Sequence, residues 1–181
     1  AQEVVKPLPE VMLFRTEKEM LDTFLDMIDD ADVLSGWNSE GYDIPYIVNR
    51  ITKTLGKAET RRMCLLKKLP KTRSYEKFGK DVNTYDLVGR IHLDYLELYR
   101  KYNYEERHSY RLDYIGEMEV GEKKVPYEGS LDRLYNHDFL KFCEYNIQDV
   151  MLLDKMDKKL QFIDLANLIA HENTVLIPTT M

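Results

Sequence analysis

The chain has 181 residues, of which 44% are apolar and 32% are charged, so it suits one soluble domain with an ordinary core. No run approaches the roughly 20 apolar residues that a membrane span needs, and residues 1–10 lack the charged-then-apolar layout of a secretory signal. These features exclude a helical membrane protein and favour an intracellular location. The two cysteines, Cys64 and Cys143, are too few for a disulfide framework and are predicted to be buried thiols.

The net charge of −6 is unevenly distributed along the chain. Residues 50–80 carry eleven basic side chains and two acidic ones, which gives this segment a charge of +9 and the remainder −15. Such asymmetry fits a phosphate-contacting edge on a domain whose other faces are acidic. A solvated surface helix and loop is the alternative explanation. The basic residues are Arg50, Lys53, Lys57, Arg61, Arg62, Lys67, Lys68, Lys71, Arg73, Lys77 and Lys80.

Helical and extended patterns alternate in the first part of the chain. The prolines near the start predict an extended lead-in over residues 1–10. A capping box at Thr16 and Glu19 predicts an amphipathic helix that runs to residue 29 or 30. A short buried strand is expected over 33–36, followed by a helix that runs from Pro45 towards Gly56.

The pattern is less regular in the second part. It predicts two hairpin strands, 65–71 and 82–87, and then a strand over 89–93 that leads into a helix at Asp94. The remaining expectations are a helix that begins within 109–115, a loop or small ribbon over 116–129, and a long helix from Asp138 towards Ile169. The alternation of short buried strands with helices argues for an α/β architecture.

Two polar motifs carry candidate chemistry. The segment 36–46, Gly-Trp-Asn-Ser-Glu-Gly-Tyr-Asp-Ile-Pro-Tyr, presents Asn38 and Asp43 after a strand and before a helix. Tyr145 and Asp149 are four residues apart on a predicted helix, so they point the same way from successive turns. Carboxylates are the ligands that Mg²⁺ and Mn²⁺ prefer, and two such ions can drive phosphodiester hydrolysis. Taken alone, Asp43 could be a helix cap, and Tyr145 and Asp149 could be an exposed surface pair.

Together the two motifs resemble the second and third exonuclease motifs of family B DNA polymerases, in particular the replicative enzymes of tailed phages related to the T-even group. The resemblance implies a ribonuclease-H-like 3′–5′ exonuclease fold, a mixed sheet flanked by helices, as a partial domain over residues 11–181. It implies proofreading, which is metal-dependent hydrolysis of 3′-terminal nucleotides from DNA. The implied partners are DNA and the remaining polymerase polypeptide or a complementing subunit, in the host cytoplasm if the chain is of phage origin.

The resemblance also assigns roles to individual residues. Asp43 and Asp149 would bind Mg²⁺ or Mn²⁺ in a two-metal site, the Tyr145 hydroxyl would orient the attacking water, and Asn38 would position the cleft. Tyr42 would pack against the terminal nucleotide, and residues 72–85 would correspond to a hairpin that helps to separate primer from template. The residues predicted to contact DNA are Tyr42, Arg61, Arg62, Lys67, Lys68, Lys71 and Arg73.

One part of the family's site is missing from the sequence. The first exonuclease motif is a strand with aspartate and glutamate two residues apart, and no such strand precedes Asp43. The metal site is therefore expected to be incomplete in this chain, and the sheet is expected to have an open edge. Asp94, at a strand end, could reach the metal cleft or could cap a helix.

Two other interpretations remain open. The chain could be a non-catalytic module that binds single-stranded DNA or pairs with a second polypeptide of a split polymerase. It could also be an unrelated α/β domain in which both motifs are fortuitous.

Overall fold

The computed structural model describes residue 8 and residues 11–77, 79–122 and 129–180. In chain order the elements are α1 (Glu17–Met27), β1 (Val33–Gly36), α2 (Asp43–Thr54), β2 (Lys71–Lys77), β3 (Lys80–Asp86), β4 (Ile91–Asp94), α3 (Tyr95–Tyr102), α4 (Leu112–Val120), α5 (Leu131–His137), α6 (Phe139–Leu160) and α7 (Phe162–Asn173), with short 3₁₀ helices at Lys57–Met63 and Ile177–Thr180. No helix among the described residues is long and apolar enough to cross a membrane. Except for Leu8, the predicted lead-in lies outside the described residues.

The chain divides into two compact units, which we call the sheet unit (Phe14–Glu105 and Phe162–Met181) and the helical unit (Ala1–Leu13 and Glu106–Gln161). Small sheets and helices alternate in the described ranges, so the predicted α/β class is confirmed. The division into a lead-in and a partial exonuclease domain stays a prediction.

The sheet unit contains a parallel pair of strands, β1 and β4, with Val33 opposite Ile91 and Gly36 opposite Asp94. Parallel strands need a long crossover, which here includes α2 and the antiparallel hairpin β2–β3. The capping box of α1 is confirmed: Thr16 Oγ1 accepts from the Glu19 amide at 3.2 Å. Helix α2 begins at Asp43, two residues before the predicted start.

The hairpin is confirmed, but its first strand was predicted six residues too early. Strand β2 begins at Lys71 rather than Leu65. The preceding residues instead form a turn, in which the Lys67 amide donates to the Cys64 carbonyl at 3.1 Å and Lys67 adopts a left-handed φ of 50°. A left-handed residue interrupts an extended strand, so the ladder starts only after Pro70.

Apolar side chains from α1, α2 and the 3₁₀ helix at Lys57–Met63 form one core of the sheet unit. Leu25, Ile51, Met63 and Cys64 are fully buried there. The Cys64 thiol accepts from the Val88 amide at 3.2 Å, and burial raises its pKa, as expected of an inert thiol. Cys143 is also buried, which confirms the prediction for both cysteines.

An aromatic cluster packs α3 against α7 and the start of the polar motif. Tyr95 and Tyr99 are fully buried, and the rings of Phe162 and Trp37 lie within 6.4 Å of both, measured between centroids. The Tyr102 hydroxyl donates to the Thr180 carbonyl at 2.9 Å. The cluster thus fixes Trp37, the residue just before Asn38.

The helical unit departs most from the predicted elements. Residues 116–120, expected in a loop, belong to α4, and α5 was not predicted; residues 123–128 of the expected loop lie outside the described ranges. The long helix does not continue towards Ile169, because Gln161 adopts a left-handed φ of 53° that separates α6 from α7. Apolar periodicity continues across this break, which is why the pattern did not reveal it.

Gly116 of α4 packs against Leu152 of α6. A Cβ placed there would lie 2.5 Å from Cδ2 of Leu152, which is fully buried. Gly116→Ala is therefore expected to lower the free energy of unfolding by about 1–2 kcal/mol, because overpacking outweighs the gain in helix propensity. Chemical denaturation followed by circular dichroism measures this. Leu152→Val should lower the free energy of unfolding less in the Gly116→Ala variant than in the parent chain. A Gly116→Ala variant that is more stable than the parent chain would contradict the packing.

Candidate functional site

The first polar motif forms a loop, Trp37–Tyr42, between β1 and α2. Buried Asp94, 2% exposed at the end of β4, anchors it. Its Oδ1 accepts from the amides of Asn38 at 2.9 Å and Leu96 at 3.0 Å, and its Oδ2 accepts from the amide of Glu40 at 3.0 Å. Asp94 thus caps α3 and holds the loop, which supports the capping interpretation. Asn38 has a φ of 58°, a left-handed conformation that asparagine tolerates.

Ser39 holds the base of the loop from inside. It is 4% exposed; its hydroxyl donates to the Gly36 carbonyl at 3.0 Å and lies 2.9 Å from Nε2 of His92. Burial, with a smaller contribution from Arg73, lowers the pKa of His92 to about 4, so the imidazole is neutral at pH 7. A Cβ on Gly36 would lie 2.8 Å from the Ser39 Cβ, so this turn needs glycine.

Asp43 is the first residue of α2, and its side chain is exposed. The N-cap position belongs to Tyr42, so Asp43 is not the helix cap of the alternative interpretation. Partial burial still desolvates the carboxylate and raises its pKa, although a hydrogen bond from its own backbone opposes this shift. A cation bound at Asp43 would favour the charged form and reverse the shift.

Two exposed tyrosines flank Asp43. The rings of Tyr42 and Tyr46 stack with centroids 6.0 Å apart and an angle of 6° between their planes. They are 66% and 55% exposed, which leaves aromatic faces open beside the carboxylate. Such faces can stack on unpaired bases of any sequence.

Tyr145 and Asp149 both lie on α6, one helical turn apart, as predicted. Both side chains are half-buried, so the exposed-pair alternative does not describe them. Between them, the Gln148 amide donates to Glu122 at 3.2 Å, and Lys155 pairs with the same carboxylate at 2.6 Å. Tyr145 and Asp149 belong to the helical unit, whereas Asn38, Tyr42 and Asp43 belong to the sheet unit.

The described residues contain no group of three or more His, Cys, Asp or Glu side chains that could hold a metal ion. Asp43 and Asp149 offer the carboxylate oxygens that Mg²⁺ and Mn²⁺ prefer. Each of these donors fits such an ion in kind, and binding of Mg²⁺ or Mn²⁺ stays a prediction. Asp94, the nearest further acid proposed from the sequence, already accepts from three backbone amides.

The predicted DNA-contacting cations fall into two groups. Arg62 pairs with Asp22 and Asp26 at 2.5 and 2.6 Å, Lys67 pairs with Asp29, and Arg73 pairs with Glu40 and Asp86. Arg61, Lys68 and Lys71 are exposed and make no ion pair within the part of the chain that the structure describes. Contact of both groups with DNA stays a prediction. Arg61, Lys68 and Lys71 could bind a phosphate without first breaking an ion pair with a carboxylate.

A cleft of about 370 Å³ lies in the sheet unit beside the loop. It is lined by Glu40, Arg73, Asp86, His92, Asp94, Glu97 and Pro178. Sequence reasoning missed Glu40 and His92 as parts of this site. Glu40 lies inside the polar motif, and this position could have identified it as part of the site. Nothing in the local pattern linked Glu40 to the hairpin.

Comparison with known proteins shows the family. The exonuclease-domain model of DNA polymerase family B matches residues 1–115. The DNA-directed DNA polymerases of Escherichia phage RB69 and Enterobacteria phage T4 are 34% and 31% identical over 157 and 156 residues, which cover 86% and 85% of this chain and 17% of each relative. The DNA polymerase of Bombyx mori nuclear polyhedrosis virus is 31% identical over 160 residues, 85% of this chain and 16% of that protein.

The chain thus spans about one sixth of the length of these polymerases. The family model includes the loop that Asp94 anchors, in agreement with the resemblance seen in the motifs. This chain belongs to the exonuclease domain of family B DNA polymerases.

Proposed function

We propose that this chain is the later part of a proofreading 3′–5′ exonuclease domain with the ribonuclease-H-like fold, in a phage-type DNA-directed DNA polymerase. The observation that carries the proposal is the anchored loop at the carboxyl ends of a parallel strand pair, where Asn38 and Asp43 lie. Open α/β sheets bind their ligands at that edge. The substrate would be the frayed or single-stranded 3′ end of DNA.

Asp43 and Asp149 would be the metal-holding residues. Mg²⁺ or Mn²⁺, when bound, would neutralise charge on the scissile phosphate and favour hydroxide over water. A strand that carries aspartate and glutamate two residues apart would supply the further carboxylates of a two-metal site, so the chain alone would be catalytically incomplete. Among the described residues β1 has only β4 as a strand partner, which agrees with the expected open edge, where an Asp-x-Glu strand could add.

The remaining roles belong to polar and aromatic side chains. The Tyr145 hydroxyl would accept and donate a hydrogen bond to the attacking water without ionising. Asn38 would position the cleft from its left-handed backbone conformation. Tyr42, stacked on Tyr46, would support the terminal base.

Release of 3′ nucleotides from a labelled single strand tests the proposal. The chain is assayed with Mg²⁺ or Mn²⁺, both alone and mixed with a polypeptide that carries the Asp-x-Glu strand, a mixture we call the complemented chain. Release only by the complemented chain is expected. Release by the chain alone would show that the metal site is complete without the added acids, and silence in both would overturn the catalytic proposal.

A second candidate function is a non-catalytic module that binds single-stranded DNA or pairs with another subunit of a split polymerase. The exposed cations Arg61, Lys68 and Lys71, which make no ion pair among the described residues, favour DNA binding by the chain itself. The proposed partners are thus DNA and the rest of the polymerase, as one polypeptide or as a complementing subunit, in the cytoplasm of a host cell.

Salt dependence measures the phosphate contacts. Replacing Arg61, Lys68 and Lys71 by Gln is expected to reduce the slope of log K against log salt by about 2, because each single-strand contact contributes about 0.7. Fluorescence anisotropy with labelled single-stranded DNA gives the slope. The matched control replaces the exposed residues Arg15, Lys18 and Lys101 by Gln; equal slopes for both triple variants would contradict the predicted interface.

A further inference from the structure

Two side chains of the hairpin β2–β3 contact Glu40 of the polar loop. The Thr84 hydroxyl donates to the Glu40 carbonyl at 2.8 Å, and Thr84 is 1% exposed. The Arg73 guanidinium pairs with the Glu40 carboxylate. Because Asp94 accepts from the Glu40 amide, this residue is held at its backbone donor, its backbone acceptor and its side chain.

Arg73 and Thr84 form a directly opposed cross-strand pair. Both contacts to Glu40 therefore come from one rung of the hairpin, and any shift of that rung moves both together. On a twisted ribbon, opposed residues are the closest side-chain neighbours, so the pair acts as a unit.

The Arg73 guanidinium is itself held in place. Its Nε donates to Oδ1 of Asp86 at 2.8 Å, and its Cζ lies 5.0 Å from the centre of the Tyr75 ring. The Glu40 side chain is only 19% exposed, whereas Arg73 is 43% exposed. A guanidinium that bridges two carboxylates above a ring loses little conformational freedom when it pairs with Glu40, which makes this ion pair stronger than an isolated surface pair.

Glu40 lies two residues after Asn38 and three before Asp43. Asn38 and Glu40 share the Asp94 carboxylate, so displacement of one amide disturbs the geometry of the other. The backbone that presents Asn38 and Asp43 is thus continuous with the residue that the hairpin grips.

We propose that Arg73 is a positioning residue, which, with Thr84, couples the hairpin to the loop, so that the placement of Asn38 and Asp43 depends on the position of the hairpin. This inference rests on the proposed function for its catalytic consequence. The coupling itself is a property of the fold and is measurable without catalysis.

Amide hydrogen exchange of the isolated chain tests the coupling. Arg73→Met is expected to accelerate exchange of the Asn38 and Glu40 amides roughly fivefold, and Glu40→Gln is expected to do the same. The double variant should exchange no faster than either single one, because both remove the same interaction. Amides of β4 should stay unchanged in all variants, which shows that the fold is intact.

Arg50→Met is the matched control, since it breaks a comparable ion pair, with Glu17, between α1 and α2. It should leave the Asn38 and Glu40 amides unchanged. Additive effects in the double variant, or unchanged exchange in Arg73→Met, would overturn the coupling.

Kinetics of the complemented chain test the positioning role. Arg73→Met is expected to lower kcat for 3′-nucleotide release roughly fivefold with KM preserved, and Arg73→Lys should recover only part of the loss. A raised KM with unchanged kcat would overturn positioning in favour of DNA contact. Faster exchange with no release from any complemented chain would support the coupling and overturn the proposed function.

Discussion

Asp43→Ala is expected to lower 3′-nucleotide release by the complemented chain on the order of a thousandfold, because removal of a metal ligand removes several kcal/mol of transition-state stabilisation. Asp43 is exposed, so the same change should alter the free energy of unfolding by less than about 1 kcal/mol. Asp43→Ala should thus lower the rate of release strongly and leave the free energy of unfolding nearly unchanged. A quenched-flow or gel assay gives the rate, and thermal unfolding gives the stability.

Asp30→Ala is the matched control for Asp43→Ala. Asp30 is an exposed aspartate of the same unit, and the structure gives it no role in the site. It should leave release unchanged. Full release by Asp43→Ala would remove Asp43 from the site and, with it, the interpretation of the first motif.

The pH dependence of the complemented chain follows from the environment of Asp43. Desolvation raises the pKa of this carboxyl, so its metal-binding, charged form is lost at a higher pH than for an ordinary aspartate as the solution is acidified. Release by the complemented chain should therefore fall as the pH is lowered, and a pH–rate profile measures this dependence.

The sequence predicted those parts of the fold whose signals are local. The capping box at Thr16 and the short strand at Val33–Gly36 each depend on neighbours within a few residues, and both are confirmed, although the strand is half-buried rather than buried. The break at Gln161 was missed, because the apolar pattern of α6 continues into α7 and only the left-handed backbone separates them. Helix α5 was missed because its segment is short and polar.

The candidate site was predictable to a smaller extent. Asn38, Asp43, Tyr145 and Asp149 were proposed because they lie in compact motifs whose spacing is visible in the chain, and their roles stay predictions. The contacts that hold the first motif join residues 33 to 56 positions apart, from Arg73 to Glu40 and from Asp94 to Asn38. No periodicity encodes such pairings, so the support of the loop is known only from the fold.

The loop depends most on Asp94, and Asp94→Ala is expected to lower the free energy of unfolding by about 3–5 kcal/mol. Its carboxylate is 2% exposed and accepts from three backbone amides. Truncation leaves these donors unsatisfied away from water, and each such donor costs about 1–3 kcal/mol unless the loop rearranges. Chemical denaturation of the isolated chain measures the loss.

Asp138→Ala provides a matched comparison, since Asp138 also caps a helix but is exposed and accepts from one amide, that of Lys141, at 3.1 Å. Its loss should cost only about 1 kcal/mol. Asp94→Asn should fall between the two: one oxygen can still serve Asn38 and Leu96, while the new amide group faces the Glu40 donor. Equal losses for Asp94→Ala and Asp138→Ala would mean that Asp94 is merely a helix cap and that the loop of the exonuclease motif is held by other contacts.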